Sequence, residues 1–138
     1  MRQSISGLLL ALAAVMILGS AALHGIVNVP HLHEDMVEIG ARPSLLGAVT
    51  LVLYFSVVAM FAFGGLVLNG AVRSIRGRSP ELAPLWVIAL IYLSFGLAAF
   101  VLVGRSPHFL GYAVMGFLVA LGAALCNRGA GGYNRSIP

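Results

Sequence analysis

Four stretches without a single formal charge divide this chain, and they constrain its fold more tightly than any other feature. The charges are Arg2, Glu34, Asp35, Glu38, Arg42, Arg73, Arg76, Arg78, Glu81, Arg105, Arg128 and Arg135, so the gaps are residues 3–33, 43–72, 82–104 and 106–127. A helix that crosses a bilayer needs about 20 mostly apolar residues. Each gap therefore holds one helix, and none comfortably holds two. A charge at the centre of such a helix costs roughly 2.5–3.5 kcal/mol on insertion, so four uninterrupted gaps are a strong signal. The expected fold is an all-α polytopic membrane protein: a four-helix transmembrane bundle forming one domain, residues 1–138. The spans are expected at residues 6–28, 44–70, 82–104 and 107–127, with a flexible tail at 128–138 rich in glycine.

Composition agrees. Charged residues make up 9% of the chain and mean hydropathy is +1.02, whereas a soluble domain carries about 25% charged residues to keep its surface in water. Lipid must cover what water does not. The net charge of +4 comes from arginines at the span ends, where it reads as a topological signal rather than as affinity for nucleic acid. Arg2, Arg73, Arg76, Arg78, Arg128 and Arg135 fall on one side, and Arg42 and Arg105 on the other. The positive-inside rule then places both termini in the cytoplasm, in a multi-pass protein of a bacterial inner membrane. Arg2, the apolar run after it and Gly19-Ser20-Ala21-Ala22 look like a cleavable secretory signal; the expectation is that this segment stays as the first span.

Local signals set the joints. Pro30 disfavours continuation of the first helix, so a helix end at Asn28 is expected, followed by a polar loop over 31–42. Pro43 suits the first turn of the second helix. Ser79-Pro80-Glu81 has the makings of a helix start. Arg105-Ser106-Pro107 is so short that the third and fourth spans must be antiparallel neighbours. In the fourth span Gly116, Ala120 and Ala124 recur on one face, which allows close approach of another helix; Gly96 and Gly104 suggest a facing seam.

Chemistry-bearing residues gather on the side opposite the termini. His24, His31, His33 and His108 all fall there, as do Glu34, Asp35 and Glu38. Imidazole and carboxylate are ligands for zinc, copper or iron. His31 and His33, two apart in an extended loop, would point the same way. The candidate metal ligands are therefore His24, His31, His33, His108, Glu34 and Asp35. His24 and His108 are the one pair at suitable depth on different helices for axial haem ligation. His24 and Asn28 share a helix face and are expected to face protein or a wet cavity. Tyr54, Trp86, Tyr92, Tyr112 and several phenylalanines are of a type that lines a hydrophobic ligand groove, although Trp86 and Tyr112 near helix ends suit interfacial anchoring better.

Other functions lack their parts. No ionisable residue occupies a span centre, unlike the membrane-embedded glutamate of small multidrug transporters. The single cysteine, Cys126, rules out a disulfide oxidoreductase pair, and there is no aspartate pair for intramembrane proteolysis. Two functions remain open. One is an accessory or structural subunit of a larger membrane complex, in contact with lipid and with other subunits or a second copy. The other is a metal- or haem-binding membrane protein with a His/carboxylate site at the periplasmic face.

Overall fold

The computed structural model describes residues 2–103 and 105–130. It is an all-α bundle of four helices, each long and apolar enough to cross a membrane: Ser4–Glu38, Pro43–Ile75, Leu82–Val103 and Pro107–Asn127. The chain is thus a multi-pass helical membrane protein whose apolar outer faces meet the lipid bilayer.

The first span differs from the expected helix and loop. It is one continuous rod, built from α1 (Arg2–Leu23), a single π turn (His24–Asn28) and α2 (Val29–Glu38). Pro30 does not end it. The proline falls in the first turn of α2, where a missing N–H is tolerated, and the wider π turn just before it takes up the register change. Val29 N–H reaches back to the His24 carbonyl in that turn. The rod stops at Glu38 in a Schellman closure: Gly40, at φ 72°, donates to Val37 O at 3.0 Å, and Ala41 donates to Met36 O at 3.0 Å. Glycine suits this left-handed position because it has no Cβ to clash.

The second span, α3 (Pro43–Ile75), closes in the same way at Gly77. At 1.5 Å per residue the first two spans are each about 50 Å long, against a hydrocarbon core of about 30 Å. The third and fourth, α4 (Leu82–Val103) and α5 (Pro107–Ala130), are close to the core thickness. Expected tail residues 128–130 continue α5, and residues 131–138 lie outside those described.

Helix order is the main tertiary finding. Span one packs extensively on span two and also on span four; span four packs on span three; spans two and three scarcely meet. The buried core lies along span one, with Leu10, Ala13, Ala14 and Ile17 against Val67 and Ala71 of α3 and Val119 and Ala123 of α5. Small residues bring the backbones together. A Cβ on Gly116 would lie 2.7 Å from Leu93 N, one on Gly64 2.6 Å from a Leu18 methyl, and one on Gly96 against the Ala113 backbone. The expected close pairing of spans three and four is present, whereas Gly104 is outside the described residues. Toward the end of the bundle that holds the N-terminus, Ser6 and Ser74 share a hydrogen bond of 2.8 Å and the Cys126 thiol sits 3.3–3.4 Å from both hydroxyls. This knot ties spans one, two and four.

Candidate functional site

Because spans two and three stand apart, a groove of about 440 Å³ opens between them, in the half of the bundle nearer the histidines. Phe55, Ser56, Ala59 and Phe63 of α3 form one wall, Tyr92 and Phe95 of α4 the other, with Tyr112 of α5 and His24 of the π turn also lining it. Phe55 and Phe95 are largely exposed at the rim. The site therefore opens sideways, toward lipid.

The walls are aromatic, with the Tyr92–Phe63 and Tyr112–Phe95 pairs edge to face and the Tyr92–Tyr112 pair tilted by 32°. Tyr92 lies 6.4 Å from Phe63 and 6.2 Å from Tyr112 between ring centroids, and Tyr112 meets Phe95 at 5.2 Å with the planes 89° apart. Such edge-on contacts match the ring quadrupoles and stiffen the wall. The series continues outward, with His108 5.7 Å from Tyr112.

Polar groups are few, and their hydrogen-bond states differ. Ser56 Oγ donates to Val52 O at 2.9 Å, so its proton is already used within its own helix. Asn28 Nδ2 donates to His24 Nδ1 at 3.2 Å. That leaves the neutral imidazole of His24 with its proton on Nε2, as a donor. Tyr92 is 4% exposed and its hydroxyl has no hydrogen-bond partner among the described residues. A buried hydroxyl left unbonded costs about 1–3 kcal/mol by protein mutational data. Among the described residues, neither arginine nor carboxylate lines the groove.

The histidines and acids chosen from sequence do not gather into one centre. His31 and His33 lie on the α2 helix, not on an extended strand, so two-residue spacing turns them to different faces. His31 Nδ1 pairs loosely with Glu34 at 3.8 Å, both exposed, and His33 Nδ1 bonds Thr50 Oγ1 at 3.0 Å. His108 packs edge-on against Tyr112, 5.7 Å between ring centroids, and Asp35 is exposed on α2. No group of three or more His, Cys, Asp or Glu side chains converges among the described residues. Of the six, only His24 lines the groove. Tyr112, a better fit to interfacial anchoring by position, stands on the groove wall beside Tyr92, while Tyr54 and Trp86 do not line it. Sequence offered the aromatics as possible groove residues, but which of them share a wall depends on helix order.

No protein-family model, curated protein or solved structure matches this chain. Fold and site together define a four-span helical membrane protein with a lateral, aromatic-lined groove.

Proposed function

We propose that the protein binds a hydrophobic or amphiphilic small molecule that enters the groove from the bilayer. The observation that carries this reading is the unpartnered Tyr92 hydroxyl beside an open groove of about 440 Å³. That volume lies within the roughly 300–1,000 Å³ typical of ligand sites, and such sites pair apolar walls with a few placed polar groups. A site built only for lipid chains has no use for a buried phenol. A ligand oxygen seated against Tyr92 would offset the cost of leaving it unbonded.

The test is site-specific photo-cross-linking in native-like membranes, with the photoreactive residue at Ala59 in the groove or at Val101 on the exposed face of α4. The expected outcome is one lipid-soluble compound enriched at Ala59 and absent at Val101. The same bulk phospholipids at both positions would overturn the reading.

A second reading, an accessory subunit of a larger membrane complex, draws on the same open seam: a partner's helix laid between spans two and three would complete the bundle. Cross-linking at Ala59 to a protein, with a matching native mass after gentle extraction, would favour it over the ligand.

A further inference from the structure

We propose that the head of this ligand is a neutral, planar ring bearing carbonyl oxygens, which makes the ligand class an alkyl- or prenyl-chain quinone; the inference rests on the ligand reading given above. His24, with Nδ1 taken by Asn28 at 3.2 Å, offers a donor at Nε2. Tyr92 has an O–H without a partner among the described residues, and Tyr112 adds a second phenol to the same groove. Among the described residues lining the groove, the remaining hydroxyl is that of Ser56, whose proton is already committed to Val52 O. What the groove offers is thus one fixed donor at His24 and two phenols that can donate or accept, so carbonyl acceptors on a ligand could be met by all three.

Charge narrows the class further. A phosphate, carboxylate or ammonium head in this groove would be removed from water with no formal counter-charge on the wall, and burying an uncompensated charge is far costlier than burying a carbonyl. An acceptor that carries no charge is what the lining suits. Shape then selects a ring. Phe63, Tyr92, Tyr112 and Phe95 form a chain of aromatics, edge-on at Phe63–Tyr92 and Tyr112–Phe95 and tilted at Tyr92–Tyr112, so a flat, electron-poor ring has π-faces and edges to pack on. The exposed Phe55 and Phe95 at the rim leave a lipid-side exit for an apolar chain. Tyr92 is almost wholly covered, so contact requires a small swing of its ring toward the groove, and the missing hydrogen bond favours that swing.

The experiment uses the full chain in lipid nanodiscs and two probes with the same alkyl chain: an alkylbenzoquinone and an alkylbenzene. Binding is read from the shift in unfolding midpoint with probe concentration, in the wild type, in Tyr92→Phe and in Ala59→Trp, which fills the groove. The expected result is binding of the quinone at least roughly tenfold tighter than of the alkylbenzene, since each net hydrogen bond contributes about a factor of five and the quinone can accept two. Tyr92→Phe should narrow that gap while raising the unfolding midpoint of the empty protein, because it removes an unbonded hydroxyl. A merely structural tyrosine would not produce those opposite signs. Equal binding of both probes, abolished by Ala59→Trp, overturns the quinone inference and leaves the groove reading standing. Absence of binding by either probe, or binding that Ala59→Trp does not affect, overturns both.

Discussion

Gly116 shows how much a single hydrogen atom in place of a methyl group can decide. A Cβ there would lie 2.7 Å from the amide nitrogen of Leu93 and 2.8 Å from the carbonyl oxygen of Ala89, and backbone cannot step aside as a flexible side chain can. Overpacking of this kind costs about 1–3 kcal/mol. Gly116→Ala is therefore expected to lower stability by that amount and to loosen α4 from α5. Gly111→Ala, on the same helix but with nothing within 4 Å, is expected to be close to neutral. Denaturant titration in mixed micelles measures both, and equal effects of the two substitutions would contradict the assigned packing. The small-residue pattern made Gly116 and Gly96 legible as contact points. Gly122, whose added Cβ would meet a Leu10 methyl at 2.8 Å, escaped notice. Its partner is span one, on another face of α5, and a repeat aimed at one neighbour does not reveal a second.

Among the helices, the first two spans carry the features that sequence signals misplace. Pro30 is a helix breaker only where its missing N–H and its ring meet an intact α ladder. A preceding π turn removes that conflict, and π turns inside α-helices recur at functional sites. Here the turn begins at His24, which lines the groove. At the opposite end of the bundle, the Ser6–Ser74–Cys126 contacts hold three helices where lipid supplies no hydrophobic drive between them. Interhelical hydrogen bonds in membranes contribute about 0.6 kcal/mol on average and up to about 1.7 kcal/mol. Ser74→Ala is expected to fall within that range, whereas Ser94→Ala, whose hydroxyl donates to Leu90 O and Ile91 O of its own helix, should change little. Reversible unfolding of the two variants distinguishes them; a larger loss for Ser94→Ala would count against the knot.

For the molecule as a whole, orientation is the property that arginine placement addresses most directly. The turn at Gly77, between Arg76 and Arg78, lies at the same end of the bundle as the N-terminal turn of α1, and the Gly40 turn lies at the other. The positive-inside rule then expects Gly77 to face the cytoplasm. In a Cys126→Ser background, Ser44→Cys should react with a membrane-impermeant maleimide in intact cells, and Ser79→Cys only after the membrane is opened. Both positions are exposed, so accessibility does not confound the comparison, and the reverse pattern would invert the topology. With Gly77 in the cytoplasm, the groove would lie in the outer half of the bilayer, open to ligands dissolved there.

The sequence by itself determined the four spans, their alternation and the forced pairing of the third with the fourth. All of these follow from short-range facts: where charges are missing, and how few residues join one helix to the next. Tertiary structure alone decided that span one sits between spans two and four, and that spans two and three stand apart. It also turned His31 and His33 to different faces and set Tyr92 and Tyr112 on one wall. Apolar helices all present similar faces to lipid, so hydropathy carries no information about which faces meet. That choice is made by close backbone approach at Gly96 and Gly116 and by the Leu18 side chain seated on Gly64. The groove lies in the half of the bundle that carries the histidines, but it was created by helix order.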